Sequence, residues 1–197
     1  IAELAERVDA AARGASAIAQ FADDEGLTPE QAYAVQAASI VRRLQRGERR
    51  SGVKMGFTSR AKMQQMGVHD LIWGRLTDAM ACEDGAPLAL GRFVHPRVEP
   101  ELAFLLARPL PAQVTLPQAL EAVAAVAPAL EIIDSRFANF RFTLGDVVAD
   151  NASSAGYVLG PWQDPRQDLS NLGLVMSING VARQIGSTAA ILGHPLR

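Results

Sequence analysis

Glu99 and Glu101 lie two residues apart in the run Pro96-Arg97-Val98-Glu99-Pro100-Glu101-Leu102-Ala103-Phe104-Leu105-Leu106. On a strand, residues two apart share a face, so both carboxylates point the same way. Their neighbours are apolar, and two carboxylates in dry surroundings do not both stay ionised without a positive partner. A third acid, Glu131, sits in a second apolar run, Ala127-Pro128-Ala129-Leu130-Glu131-Ile132-Ile133. Brought in from a neighbouring strand, it would complete one face of an octahedral oxygen site. Mg²⁺ and Mn²⁺ ask for such donors, with water and substrate oxygens in the remaining positions. Spacing alone leaves a second reading open, a half-exposed strand carrying solvated acids.

Lys54, in Gly52-Val53-Lys54-Met55-Gly56-Phe57-Thr58, stands alone among apolar neighbours on an expected strand. Its ammonium can neutralise developing oxyanion charge or transfer a proton, or it can simply snorkel to water. Asp78, in the expected loop Gly74-Arg75-Leu76-Thr77-Asp78-Ala79-Met80, is a candidate acid or base, or the cap of a turn. Asp150-Asn151-Ala152-Ser153-Ser154 gathers small hydrogen-bonding groups between two apolar stretches. It could ring a substrate carboxylate or a metal-bound water, or satisfy its own backbone in an Asx or Ser turn. His69, His95 and His194 are not at metal-ligand spacing and read as surface or structural residues. Gly186-Ser187-Thr188 lacks the second glycine of a nucleophile elbow, and no phosphate-binding or dinucleotide fingerprint occurs.

The elements that must position these groups fall into two textures. Helices come first, over Ile1–Arg13 and then after Thr28, where Thr28, Pro29 and Gln31 mark a start and Gly47 an end. Tyr33, Val35, Ile40, Val41 and Leu44 of that second helix face a core, and its tail of Arg42, Arg43, Arg46, Arg49 and Arg50 reads as a solvated face complementing the helix dipole. Strands are expected over Val53–Thr58, Val94–Leu106, Leu130–Ile133, Phe140–Thr143, Ala155–Leu159 and Leu174–Ile178. Short helices are expected over Ser59–Gly67 and Pro117–Val126. Asn179-Gly180 is the strongest hairpin signal, pairing Leu174–Ile178 with Val181–Ile185. The fold class is therefore α+β with a mixed or mainly antiparallel sheet system, residues 1–50 forming a helical region and 51–197 a β-rich catalytic core of one structural unit.

Composition narrows the function. A chain of 197 residues with 49% hydrophobic content can bury a real core. Its net charge of -2, with no basic block, argues against nucleic acid. The single cysteine, Cys82, excludes an intrachain disulfide and suits a reducing compartment. No apolar run has membrane-spanning length, and the first residues lack the pattern of a signal peptide, so a soluble cytoplasmic protein without a membrane partner is expected.

Several segments, in this order, resemble the 2-keto-4-pentenoate hydratase and 4-oxalocrotonate decarboxylase group of the fumarylacetoacetate hydrolase superfamily. They are Val53–Ser59, Pro96–Phe104, Pro128–Arg136, Val148–Ser154 and Leu192-Gly193-His194-Pro195. The resemblance implies a mixed β-roll wrapped by helices and one divalent metal, Mg²⁺ or Mn²⁺, on Glu99, Glu101 and Glu131. It also assigns Lys54 and Asp78 as catalytic groups and Ser153 or Ser154 as the polar segment at a small 2-oxo acid substrate. Arg136 could hold that substrate's distal carboxylate, or pair with Asp134 or another acid. Family members continue beyond the position of Arg197, so C-terminal strands of the roll are expected to be missing here. Ala61–Val68 and Ile133–Phe140 look more like decarboxylases than hydratases. The expectation is decarboxylation of 2-oxohex-3-enedioate, with 2-hydroxypenta-2,4-dienoate hydration as the alternative. The Phe137, Phe140 and Phe142 cluster suits a drier pocket wall, or ordinary core packing. A non-catalytic partner of such an enzyme is the other class of reading, and a homo-oligomer or a complex with the partner hydratase is the expected assembly.

Overall fold

The computed structural model describes residues 1–21, 26–66 and 70–196. Helix α1 (Ala2–Gly14) ends where Ala15 turns left-handed at φ 45°. Helix α2 (Pro29–Gln45) starts as its sequence requires: the Thr28 hydroxyl accepts from the Gln31 N–H, and the Gln31 side chain accepts from the Thr28 N–H. Then come β1 (Arg50–Gly56), α3 (Arg60–Met66), β2 (Ile72–Thr77), the two-residue β3 (Ala81–Cys82) and β4 (Pro96–Leu106). They are followed by α4 (Leu116–Ala122), β5 (Val123–Asp134), α5 (Leu144–Ala149), β6 (Ser154–Leu159), β7 (Gly173–Ile178) and β8 (Val181–Ser187). The expected helix end at Gly67, the end of the Ala61–Val68 stretch, and His69 lie outside the described residues.

Among the described residues one sheet has four strands in the order β3-β6-β5-β4, and two have two strands each, β1-β2 and β7-β8. Pairing is antiparallel in β1-β2 and β7-β8 and parallel in β3-β6. The α+β expectation is met, with open sheets in place of a closed roll.

The chain divides into two compact units. The first comprises Ile1–Gly56, Leu71–Glu99 and Glu131–Val158. Here α2 packs on α1 and α5, burying Ala5, Val8 and Ala11 of α1, Val35 and Ile40 of α2, and Val147 and Val148 of α5. Val41, expected inward, is exposed. The basic tail of α2 is not simply solvated. Arg46 donates to both oxygens of buried Asp9 at 2.7 and 2.6 Å, so a charge on α1 is neutralised from α2. The second unit comprises Phe57–Asp70, Pro100–Leu130 and Leu159–Arg197. In it Val126 and Gln163 exchange both backbone hydrogen bonds, and β7 and β8 pair across Asn179 and Gly180, both at positive φ as a tight hairpin turn demands.

Three expectations are corrected. The helix expected over Pro117–Val126 stops at Ala122, because from Val123 the backbone pairs as β5, where β-branched Val123 and Val126 fit. The strand expected over Phe140–Thr143 is absent, for Thr143 instead caps α5 in a reciprocal box with Asp146. The expected loop from Gly74 to Thr77 is part of β2, with Gly74 opposite Lys54.

Candidate metal centre

Strand pitch sets Glu99 and Glu101 on one face of β4, and β5, the neighbouring strand in the four-stranded sheet, supplies Glu131. Each of the three offers a carboxylate oxygen, and these oxygens all lie within 4.8 Å of one another. Glu99 and Glu101 are half-buried and Glu131 is buried. Burial pushes the Glu131 carboxyl up from its ordinary value, Lys54 and Ser154 pull it down, and Glu99 raises it again. Three carboxylates against one ammonium leave two negative charges when all are ionised, which a divalent cation offsets. An all-carboxylate donor set is hard oxygen, the chemistry of Mg²⁺, Ca²⁺ or Mn²⁺, and the residues present fit such an ion.

Both oxygens of Glu131 are already oriented. Lys54 Nζ stands 3.1 Å from Oε2, and the Ser154 hydroxyl donates to Oε1 at 3.0 Å. The ammonium also donates to the Ala152 carbonyl at 3.0 Å. That carbonyl is presented by an unusual piece of backbone, since Asn151, Ala152 and Ser153 are all left-handed, at φ 56°, 51° and 59°. Each such non-glycine residue costs about 1–2 kcal/mol. The turn is held from both sides. Asn151 Oδ1 accepts from the Arg75 N–H at 2.7 Å, and its Nδ2 donates to the Arg75 carbonyl at 2.8 Å, so an amide side chain takes the place of a strand partner for β2. Gly74 allows the approach, because a Cβ there would run into the Asn151 carbonyl oxygen. Neither the handedness of this turn nor the role of Gly74 was visible in the sequence.

The other expected site residues are placed differently. Arg136 is buried, and its Nε donates to Asp150 Oδ1 at 2.5 Å, its Nη2 to the Asp150 carbonyl at 2.7 Å and its Nη1 to the Ser154 carbonyl at 3.3 Å. The Arg136 N–H also donates to Asp150 Oδ2 at 2.9 Å. A guanidinium so committed is an internal brace, the alternative in which Arg136 pairs with another acid. Burial pushes the Asp150 carboxyl up to about 6, against Arg136, which lowers it, while Asp134 raises it. Asp78 is exposed, and its Oδ1 accepts from the N–H groups of Arg49 and Ala79 at 2.9 Å each, the turn-capping alternative. It lies four residues along β2 and the following turn from Gly74, roughly 13 Å of strand from the level of Lys54. Ser153 is buried within the left-handed turn. His95 Nδ1 meets the Ser135 carbonyl at 2.9 Å and His194 Nδ1 accepts from the Leu196 N–H, both structural contacts. Phe137 is fully buried, edge-on to Phe21, and Phe140 meets Phe142 edge-on under the Arg97 guanidinium, which is packing of the ordinary kind.

The family model for the fumarylacetoacetate (FAA) hydrolase C-terminal domain matches residues 44–197. A 4-oxalocrotonate decarboxylase of Pseudomonas sp is 54% identical over 197 residues, covering 100% of this chain and 77% of that protein. A 2-keto-4-pentenoate hydratase of Paraburkholderia xenovorans (strain LB400) is 42% identical over 170 residues, 85% of this chain and 63% of the hydratase. Among solved structures, the 4-oxalocrotonate decarboxylase from Pseudomonas putida G7, complexed with magnesium and adipate, superposes with a TM-score of 0.94 at 38% identity. That match covers 99% of this chain and 76% of the other.

Proposed function

The chain belongs to the fumarylacetoacetate hydrolase family, and from that premise we propose that it is a divalent-metal-dependent lyase acting in meta-cleavage degradation of aromatic compounds. It removes CO₂ from 2-oxohex-3-enedioate (4-oxalocrotonate) and leaves 2-hydroxypenta-2,4-dienoate. The observation that carries this reading is the meeting of Glu99, Glu101 and Glu131, with Lys54 seated on Glu131. A cation held by the three glutamates, Mg²⁺ or Mn²⁺, would supply a Lewis acid for the paired carboxylate and keto oxygens of a 2-oxo acid.

The chain's own residues do the rest. As the bond between C5 and the departing carboxylate breaks, its electron pair moves through the C3–C4 double bond and negative charge collects on the C2 oxygen. Lys54 places a positive charge beside the glutamate cluster, where that oxygen would lie, and its side chain is only 12% exposed, so little water screens it. Ser154 and the Ala152 carbonyl hold Glu131 and Lys54 in register. Hydration of the dienoate would need, in addition, a delivered water and a proton donor at C5. Asp78, a candidate acid or base, is exposed and spends an oxygen on backbone N–H groups. The decarboxylase relative is also more similar than the hydratase, 54% against 42%.

Two measurements test the proposal. With Mg²⁺, the protein should release CO₂ from 2-oxohex-3-enedioate and consume 2-hydroxypenta-2,4-dienoate slowly if at all. Rapid loss of dienol absorbance without CO₂ would make it a hydratase. Calorimetric titration should find one Mg²⁺ site, weakened at least about tenfold in Glu101→Gln, the loss typical of disturbing even an outer partner of a metal. A non-catalytic scaffold has no reason to bind the ion there.

A further inference from the structure

A cavity of about 380 Å³ in the first unit lies apart from the glutamate cluster, beside the C-terminal end of α1. Ser154 turns its hydroxyl to Glu131, whereas the next residue of β6, Ala155, lines the cavity, so the two lie on opposite faces of the sheet. Arg13, Arg43, Arg92 and Arg136 line it, and Glu48 and Asp134 are the acids of the lining.

The charges do not cancel. Arg136 is matched by Asp150, which is not in the lining. Asp134 accepts from the N–H groups of Val94 and His95, neutral donors that leave its charge in place, so Arg13, Arg43 and Arg92 face two carboxylates with one positive charge in excess. Glu48 accepts the Thr77 hydroxyl at 2.6 Å, and its approach to Arg43 is 3.6 Å, too long for a hydrogen bond. Arg43 thus stays in ion-pair range of Glu48 without a hydrogen bond to it. Its side chain is 16% exposed, and among the described residues its five N–H donors make no side-chain hydrogen bond. Burial lowers it from its ordinary value, Glu48 and Asp9 raise it, and the like charges of Arg136 and Arg46 lower it. Arg92, exposed and over the Phe93 ring, and Arg13, in the last turn of α1, add positive charge at the rim. The carbonyls ending α1 bring some negative potential, which Arg13 offsets.

We infer that this cavity is a second binding site, taking a small anion with carboxylate or phosphate oxygens on the Arg43 guanidinium, with Arg92 and Arg13 at its mouth. Water can fill the donors of Arg43 but cannot offset the excess charge, whereas the guanidinium fork matches the paired oxygens of either anion. The volume is at the lower end of small-ligand sites, roughly 300–1,000 Å³.

The experiment is calorimetric titration with inorganic phosphate and, separately, with succinate, at constant ionic strength held by chloride. At least one anion should bind saturably, both to the wild type and to Glu101→Gln, because the glutamate cluster takes no part. Binding of phosphate alone assigns a phosphoryl ligand, of succinate alone a carboxylate, and of both a site that reads charge. Arg43→Gln should weaken binding about 10–100-fold, the worth of a hydrogen bond to a charged group. Arg92→Gln, an exposed change that leaves the fold intact, should weaken it roughly threefold or more by losing one rim charge. No saturable binding up to about 10 mM, roughly 3 kcal/mol of affinity, would overturn the inference. So would equal affinity in Arg92→Gln and wild type, or loss of binding in Glu101→Gln.

Discussion

The first unit buries charge, while the β7-β8 hairpin of the second exposes hydrocarbon. Arg136 and Asp150 are almost wholly sequestered, and Lys54 and Glu131 nearly so. In the hairpin, Val175 and Ile185 face each other across the ladder at 63% and 77% exposure, and Ile178 and Val181 flank the turn exposed as well. Residue type therefore predicts location poorly in both places, for opposite reasons. A buried charge survives where its partners are fixed, and fixing them takes long-range contacts that no local pattern announces. A hairpin can form on turn chemistry and cross-strand pairing, which need no buried face. The site depends on the first kind of order and the hairpin on the second, so the two should respond to substitution on different scales.

The largest effect is expected at the internal brace. Arg136→Met leaves Asp150 buried with its main cation gone, a change that typically costs about 3–5 kcal/mol. Adding Asp150→Asn should recover much of the loss, because the unpaired charge goes with it. The sign with pH is definite. Asp150 already sits above its unfolded value, at about 6, and without Arg136 it rises further. Its folded form then keeps a proton that the unfolded chain releases, so the contribution is retained at low pH and lost as pH rises through the folded value. Urea unfolding of Arg136→Met should show a smaller deficit from wild type at pH 5 than at pH 8. A deficit that does not change with pH would mean that lost packing, and not charge, carries the cost.

At the glutamate cluster the effect should appear as rate. Lys54→Met removes a charge needed most once bond breaking has begun, so kcat should fall about 10²–10³-fold with KM little changed. A raised KM at normal kcat would make Lys54 a substrate holder. Asn151→Ala should be milder, costing about 1–3 kcal/mol of stability by leaving the Arg75 N–H and carbonyl without their partner. Because the same turn presents the Ala152 carbonyl to Lys54, kcat should drop while Mg²⁺ affinity holds. Asn151→Asp keeps the acceptor for the Arg75 N–H and should recover part of that rate. Equal kcat in wild type and Asn151→Ala would separate the turn from the chemistry.

The same contrast explains what could be read from the sequence. Thr28 and Gln31, Asn179 and Gly180, and the spacing of Glu99 and Glu101 act over two to four residues, and the structure has the cap, the hairpin and the shared face. The capping box of Thr143 and Asp146 is equally local, but the phenylalanines before it suggested a strand. Arg136 finds Asp150 fourteen residues on, and Asn151 finds Arg75 across 76. Both choices among partners are made by tertiary packing. Three left-handed residues in a row run against local preference, and they are made tolerable by Gly74 of β2 and by the bonds of the Asn151 amide to the Arg75 backbone.

The smallest effect belongs to the hairpin, and there the contrast can be tested within one element. Gly180 holds φ at 76°, a conformation that a β-branched side chain resists, so Gly180→Val should cost about 1–2 kcal/mol although nothing stands near enough to clash. Ile185→Thr changes far more apolar surface but keeps the β-branch that suits a strand. With the side chain already 77% exposed, little hydrocarbon returns to water on unfolding, and the expected change is within about 0.5 kcal/mol. Chemical denaturation of the two variants in parallel would decide it. If Ile185→Thr costs more than Gly180→Val, the exposed aliphatics are buried against something in solution. Burial would then order the hairpin as it orders the first unit, and the distinction between the two regions would fail.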